Sequence, residues 1–177
     1  SGQPEPGYTP AVRLLTSAAL VGEGRPPDPR ASLPPLGRLD MDSRGLLILS
    51  DDGVLAKAVI GPQSELDKEY VVRVAGQIDE AKLSRLRHGL SLDGRKLKPA
   101  KVSVTQAQTL RFVLKEGRNR QIRRMCDLVG LRVSDLQRIR IGPLKLGDLP
   151  EGHWRLLTAA EREAMITASA GSASGRG

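Results

Sequence analysis

The chain has 177 residues, with 28 Lys and Arg against 20 Asp and Glu, which gives a formal net charge of +8. This length suits one compact domain, and the excess positive charge favours a polyanionic partner, most directly nucleic acid. A single cysteine excludes an internal disulfide, one cysteine and two histidines disfavour a structural zinc site, and no apolar run reaches the roughly 18 residues of a membrane span. We therefore expect a soluble, cytoplasmic protein with no membrane partner.

The two ends of the chain have the composition of irregular segments. Eight prolines lie within residues 1–35, where only residues 12–20 could form a short helix, because proline fixes φ and lacks an amide donor. Residues 168–177 contain only Ala, Ser and Gly with one Arg, and they cannot bury enough apolar surface to become ordered. We predict an irregular segment over 1–35, one domain over 36–167 and a disordered tail over 168–177.

The first half of the predicted domain alternates strand and helix. Residues 45–50 form a continuous apolar run before an Asp-Asp-Gly turn, which predicts a buried strand, and a short helix follows over 54–60. Residues 68–75 alternate in polarity, and residues 79–88 have helical spacing after a capping aspartate. Strand therefore precedes helix twice.

The second half predicts a hairpin, a helix and further strands. Two β-rich runs, 101–105 and 110–114, flank a short connection. Asn119 is predicted to cap a helix whose apolar residues recur at helical spacing, namely Ile122, Met125, Cys126 and Val129. Two more strands and a last helix are predicted at residues 133–141, 154–157 and 159–166. Strands outnumber helices, so we predict a mixed α+β domain around a largely antiparallel sheet.

Nearly all of the net charge lies between Arg111 and Lys145. This segment has ten basic residues, eight of them arginine, against three acidic ones. Such a run can be an ordinary solvated face, but arginine is suited to forked contacts with phosphate and to stacking on bases. Because the helix dipole does not favour arginine near a helix N-terminus, we predict an anion site there, at the polar residues that flank the apolar stripe, Gln121, Arg123 and Arg124.

Two residues outside this segment could carry chemistry. Asp40 lies on a loop before the first predicted strand, where it is either exposed or a turn residue bonded to its own backbone. Tyr70 opens a strand and could fill the core, although a chain with two tyrosines has few residues that can stack on a base. The sequence has no metal-ligand spacing, nucleophile elbow or P-loop, and His88 and His153 are typical of turn residues.

Five segments of the chain form an ordered set of motifs. They are Gly-Arg-Leu-Asp-Met-Asp-Ser-Arg-Gly-Leu from Gly37, Lys-Glu-Tyr from Lys68, Glu-Gly-Arg-Asn-Arg-Gln-Ile-Arg-Arg-Met-Cys from Glu116, Leu-Gln-Arg-Ile-Arg-Ile-Gly-Pro-Leu from Leu136, and Leu-Gly-Asp-Leu-Pro-Glu-Gly-His-Trp-Arg from Leu146. Over residues 36–158 the chain resembles the RNA pseudouridine synthases of the ribosomal small-subunit synthase A type. The second and third segments are most similar to the bacterial large-subunit (23S rRNA) synthase F, with the B and E types behind it.

The resemblance implies an isomerase that converts uridine to pseudouridine in 23S rRNA, with base flipping and without a cofactor or metal. On the matching positions it implies Asp40 as the catalytic nucleophile, Tyr70 as the residue that stacks on uracil and helps to deprotonate C5, and Arg123 as the partner of the aspartate. Leu136 would lie on the other side of the base. The remaining residues implied in RNA contact are Arg38, Lys68, Arg118, Arg120, Gln121 and Arg124.

The chain departs from the family pattern at its N-terminus. Family members usually carry an S4-type RNA-binding domain and a strand with an Asn-Lys-Pro-x-Gly motif, and neither precedes Pro4. Because the chain begins with Ser1, we expect a truncated start. The alternative is a non-catalytic rRNA-binding or ribosome-assembly module of the same fold. A DNA-binding regulator is disfavoured, since no helix-turn-helix spacing or dimerisation heptad is visible, and we expect a monomer bound to rRNA.

Overall fold

A computed structural model describes residues 11–28, 33–118 and 120–175. After a short 3₁₀ helix at Ala11–Leu14, the helices in chain order are α1 (Gly53–Ile60), α2 (Glu80–Arg87), α3 (Gln121–Leu128) and α4 (Ala159–Gly175). The strands are β1 (Arg44–Gly45), β2 (Lys68–Ala75), β3 (Ser91–Leu92), β4 (Arg95–Lys96), β5 (Lys101–Gln106), β6 (Thr109–Leu114), β7 (Arg132–Ile141) and β8 (Leu144–Lys145). No helix in these residues is long and apolar enough to cross a bilayer.

The main sheet has the order β1-β7-β2-β6-β5, and β8 pairs with β7. Within the described residues, the β1–β7 pairing is parallel and the other pairings of this sheet are antiparallel. Strand β2 lies at its centre, bonded to β6 on one side and β7 on the other. The prediction of a mixed α+β fold around a largely antiparallel sheet is confirmed.

The larger core lies between one face of the sheet and the helices α2 and α3. Val72 and Phe112 are fully buried there, and the predicted inward stripe of α3 is confirmed, since its four apolar residues are all buried, Ile122, Met125, Cys126 and Val129. A second core joins α1 and α4 to the chain around Leu46 and Ile48, with Met165 fully buried.

Local sequence signals explain several of these elements. Strand β2 has the predicted bounds because its alternating residues place one face on the core. Helices α1 and α2 begin after Asp52 and Asp79, whose carboxylates accept hydrogen bonds from amides of the first turn. Strands β5 and β6 form the predicted antiparallel hairpin.

Three predicted elements differ from those found. Of the apolar run 45–50, only Gly45 lies in a strand, β1, and Leu49 makes a single antiparallel bridge to Pro35. The side chains of Leu46 and Ile48 enter the second core. Residues 154–157 contribute a single bridge, Leu20 to Trp154, and not a strand. Within residues 12–20 the helix is the short 3₁₀ turn alone.

The tail also differs from prediction, because α4 continues past Ala168 to Gly175. Thr158 and Glu161 form a reciprocal capping box at the start of α4, whose first part is the predicted helix 159–166. Ala168 packs against the second core, and the Ser169 carbonyl accepts a hydrogen bond from the Glu65 amide. These contacts hold the first residues of the predicted tail, Ala168 and Ser169, against the domain.

Candidate active site

One cavity of about 570 Å³ lies between the loop before β1, the start of β2 and the N-terminal end of α3. It is lined by nine of the ten residues singled out from the sequence, namely Arg38, Asp40, Lys68, Tyr70, Arg118, Arg120, Gln121, Arg123 and Leu136. The tenth, Arg124, is not among the lining residues. The fold therefore brings together residues that lie far apart in the chain.

Asp40 is held at the cavity by a turn and by a buried arginine. The Ser43 amide donates to the Asp40 carbonyl, which leaves the carboxylate outside the turn bond. Arg138, which is 5% exposed, donates to the carbonyls of Leu46 and Arg38 and thus ties this loop to β7. Among the described residues, the Asp40 side chain makes no hydrogen bond to its own backbone. Asp40 is therefore not the self-bonded turn residue that the sequence left as an alternative.

Arg120 is the arginine that contacts Asp40. Its guanidinium lies 3.6 Å from the Asp40 carboxylate and donates two hydrogen bonds of 3.0 Å to Asp42. The hydrogen bond from Arg120 holds the pKa of Asp42 below its ordinary value, and the same bond raises the pKa of Arg120. Arg120 also occupies the N-cap position of α3 at φ 51°, where Asn119 was predicted; Asn119 lies outside the described residues.

Arg123 pairs with Asp42, and not with Asp40 as predicted. Its Nη2 donates to the Asp42 carbonyl at 2.8 Å and to the Ser43 hydroxyl at 3.1 Å, and its Nη1 lies 3.5 Å from the Asp42 carboxylate. The reason is local, because the turn after Asp40 places the Asp42 main chain against α3. The buried Nε of Arg123 has no hydrogen-bond partner among the described residues.

Tyr70 and Leu136 form an apolar part of the cavity lining. Tyr70 is half-buried on β2, opposite Phe112 of β6, and packs against the larger core. Leu136 is buried on β7 and pairs with Val72, two residues along β2 from Tyr70. An aromatic face and an aliphatic side chain in one cavity with a carboxylate can hold a planar base beside a nucleophile.

Lys68 lines the same cavity from the start of β2. Burial lowers the pKa of Lys68, and the positive charge of Arg138 lowers it further. Its Nζ is 3.5 Å from the Leu66 carbonyl. A partly desolvated cation next to the cavity favours an anionic ligand.

The other predicted contact residues divide into two groups. Gln121 is buried, not at the edge of the stripe, and its side-chain oxygen accepts a hydrogen bond from the Arg118 amide, because the polar loop before α3 needs an internal acceptor. Arg124 forms an ion pair with Asp93 at 2.6 Å and so contacts the β3–β4 turn. Gln121 therefore shapes the loop from within the cavity lining, whereas Arg124 lies outside that lining and is bound to the β3–β4 turn.

Sequence reasoning assigned no role to Asp42, Ser43, Arg138 and Glu116, although all four organise the cavity. Glu116 bonds the Lys98 amide and the Arg118 side chain. Asp42 and Arg138 both lie inside the motifs quoted above, two residues from Asp40 and from Leu136. The position of these residues within the motifs was the available sequence signal. Their roles became clear only from the side-chain contacts that the structure shows.

Comparisons with known proteins agree on one family. A family model described as RNA pseudouridylate synthase matches residues 23–128. An uncharacterised RNA pseudouridine synthase of Aquifex aeolicus (strain VF5) is 35% identical over 157 residues, which cover 80% of this chain and 63% of the relative. The ribosomal large subunit pseudouridine synthase B of Escherichia coli (strain K12) is 44% identical over 132 residues, 71% of this chain and 45% of the relative.

A solved structure supports the same relationship. The crystal structure of a pseudouridylate synthase superposes with a TM-score of 0.72 at 33% identity, over 76% of this chain and 60% of that one. The chain thus spans about half to two thirds of the length of these proteins. Since the family model covers more than half of the sequence and the fold agrees, the chain belongs to the RNA pseudouridylate synthase family.

Proposed function

We propose that the chain converts uridine to pseudouridine in ribosomal RNA, with Asp40 as the nucleophile. The observation that carries this proposal is that Asp40, Tyr70 and Arg123 line one cavity, although 82 residues lie between Asp40 and Arg123 in the sequence. Family membership supports the reaction, and the geometry supports the choice of residues.

The uridine must leave its stack to enter the cavity. A volume of about 570 Å³ lies within the usual size of small-molecule pockets and can accept a nucleotide. Stacking of the extruded base on Tyr70, worth about 1–3 kcal/mol, offsets part of the unstacking cost. Leu136 also lines this cavity, and in this proposal its side chain contacts the base.

The reaction itself exchanges one bond for another. Asp40 forms a bond to a carbon of the ribose or of the base, the N1–C1′ bond breaks and the uracil turns. C5 then bonds to C1′, and the bond to Asp40 breaks, which regenerates the carboxylate. The C5 proton then leaves while N1 gains one, so no external reagent is consumed. The Tyr70 hydroxyl relays the C5 proton in this scheme, its oxygen accepting that proton as its own proton is released to solvent, because it is the aromatic hydroxyl among the residues that line the cavity.

The two arginines near Asp40 have different parts in this proposal. Arg120, with a 44% exposed side chain, balances the charge of Asp40 at the mouth. Arg123, 13% exposed, is oriented by Asp42 and Ser43 and retains an unpartnered Nε among the described residues. A buried donor without a partner costs free energy until an acceptor arrives, which favours contact with the nucleotide.

Large-subunit rRNA is the proposed substrate class. The Escherichia coli relative and one from Haemophilus influenzae, 42% identical over 124 residues, are both named ribosomal large subunit pseudouridine synthase B. The second and third motif segments are most similar to those of synthase F, and assignment to that subtype stays a prediction. A bacterial 23S rRNA substrate would place the protein in the cytoplasm.

The proposal is tested with unmodified 23S rRNA and three proteins. The wild type, Asp40→Asn and Asp148→Asn are incubated with the RNA, and products are mapped by carbodiimide-dependent reverse-transcription stops. Asp148 is exposed in a turn and serves as the matched charge control. Stops at defined uridines with the wild type and the control, absent with Asp40→Asn, are expected.

Two results would contradict it. Product formation by Asp40→Asn at the wild-type rate would exclude Asp40 as nucleophile. RNA binding by the wild type without product would instead favour the non-catalytic rRNA-binding module.

A further inference from the structure

The β3–β4 hairpin and the residues that follow it carry three exposed cations, one of which lines the cavity. Residues 91–98 contain three basic side chains and one acidic one, and Arg95, Lys96 and Lys98 are all exposed. Within the part of the chain that the structure describes, none of these three cations forms an ion pair. Lys98 is itself a lining residue of the cavity that contains Asp40.

The hairpin has a defined conformation. Asp93 and Gly94 occupy its two turn positions at φ 53° and φ 76°, the combination that a tight type I′ turn requires. Leu92 and Leu97 are buried in the larger core, on either side of the turn. Arg95 and Lys96 therefore lie on a hairpin that is fixed to the larger core through Leu92 and Leu97.

Three contacts attach the hairpin to the basic loop before α3 and to α3 itself. The Arg118 guanidinium donates to the Leu92 carbonyl at 3.3 Å, and Arg124 pairs with Asp93 at 2.6 Å. The Glu116 carboxylate, 11% exposed, accepts from the Lys98 amide at 2.6 Å and from Arg118 at 3.3 Å. These contacts hold the hairpin at a fixed position relative to the rim of the cavity.

Exposure of a cation does not by itself indicate a ligand. Arg73 and Arg132 are also exposed and form no ion pair among the described residues, but they lie at the end of β2 and the start of β7, away from Lys68 and the cavity. The hairpin differs because Lys98 lines the cavity, and because the Leu92 carbonyl and the Lys98 amide bond to two further lining residues, Arg118 and Glu116. Arg95 and Lys98 span about 10 Å of extended chain, which continues the positive surface outward from the cavity.

We propose that the β3–β4 hairpin is a second RNA-contact surface, which binds backbone phosphates beside the extruded nucleotide through Arg95, Lys96 and Lys98. This inference rests on the proposed function for the identity of the ligand as RNA. Phosphate contacts position the RNA and release counterions, so their loss weakens binding and reduces its salt dependence. The chemistry at Asp40 does not require them.

The test compares two double variants that remove equal charge. Arg95→Gln/Lys96→Gln alters the hairpin and leaves Lys98 in the cavity lining, while Arg73→Gln/Arg132→Gln is the control at the far end of the sheet. Binding of unmodified 23S rRNA transcript is measured by filter retention across a KCl series, and pseudouridine yield is measured at saturating RNA. Circular dichroism and thermal unfolding confirm that both variants fold.

We expect the hairpin variant to bind about tenfold more weakly, with the salt slope reduced by about 1–2, while the control changes by less than about twofold. The kcat at saturating RNA should match the wild type, and KM should rise. Equal weakening by both variants, or no weakening by the hairpin variant, would overturn the inference.

Failure of the hairpin inference can be distinguished from failure of the proposed function. If Asp40→Asn abolishes product while the hairpin variant binds normally, the hairpin inference fails and the enzyme assignment stands. If the wild type makes no pseudouridine but the hairpin variant alone loses RNA affinity, the contact surface stands without the reaction.

Discussion

The guanidinium of Arg120 lies 3.6 Å from the carboxylate of Asp40, and it is presented from a left-handed backbone position, φ 51°. A non-glycine residue in this region has a conformational cost of about 1–3 kcal/mol, which surrounding contacts must offset. The two hydrogen bonds that Arg120 donates to Asp42 are contacts that can offset this cost. Arg120 is therefore held between two carboxylates, of which we assign only one to the reaction.

Replacing Asp42 should impair catalysis, although in this proposal Asp42 itself does not contact the substrate. In Asp42→Asn, Arg120 loses one of its two charged partners, Arg123 loses an ionic contact, and we expect Arg120 to shift toward Asp40. We expect kcat to fall about tenfold, because catalytic groups tolerate little displacement, while RNA binding stays within about twofold. Asp135→Asn, which removes the exposed pair with Arg44, is the control. Single-turnover pseudouridine formation is the measurement, and an unchanged kcat in Asp42→Asn would contradict the positioning role.

Arg120 and Arg123 should differ in which kinetic constant they affect. Arg123→Gln is expected to lower kcat by about 10²-fold or more, because the residue is mostly buried and its side chain is fixed by Asp42 and Ser43. Arg120→Gln should mainly raise KM, by about tenfold, because its exposed side chain meets the RNA at the mouth. Steady-state kinetics on one 23S rRNA fragment separates the two, and the reverse order of effects would show that Arg120 is the functional partner of Asp40.

Tyr70→Phe isolates the hydroxyl from the ring. Phenylalanine keeps the stacking face on β2 and its contact with the core, so RNA binding should remain within about twofold. The loss of the proton acceptor should lower kcat by about 10²–10⁴-fold. Product yield is compared with that of Tyr70→Leu, which also removes the aromatic face. A Tyr70→Phe protein with normal kcat would exclude the hydroxyl from C5 deprotonation.

Sequence patterns predicted the elements whose burial is one-sided. Strand β2 alternates because one face packs on α2 and α3, so its bounds could be read directly. The run 45–50 is apolar for another reason, since Leu46 and Ile48 pack into the second core without forming a strand ladder. A short apolar run records burial but not the hydrogen-bond partner of its backbone.

The residues of the site were predictable as a set, but not their pairing. Motif order identified nine residues that line one cavity. The partner of Asp40 depends on the left-handed backbone at Arg120 and on the turn that presents Asp42, and neither has a signature in residue type. The contacts of Gln121 and Arg124 likewise could not be predicted from residue type. Gln121 bonds inward to the loop before α3, whereas Arg124 reaches the β3–β4 hairpin.

The capping box of α4 gives a pH-dependent stability that is independent of catalysis. Two hydrogen bonds from Arg155, with a further one from the Thr158 amide, lower the pKa of Glu161 from 4.5 to about 2. Because the folded-state pKa lies below the unfolded value, the stabilisation is complete above about pH 4.5 and is lost as the pH falls toward 2.

Glu161→Gln should therefore lower the free energy of unfolding by about 1–2 kcal/mol at pH 7, allowing for solvent screening of a pair that is about 30% exposed. The difference from the wild type should shrink between about pH 4.5 and pH 2 in urea titrations, as the native Glu161 itself becomes protonated. Glu163→Gln, on the exposed side of the same helix, is the control and should change stability little. A Glu161→Gln deficit that stays constant down to pH 2 would mean that packing, and not the ion pair with Arg155, stabilises the start of α4.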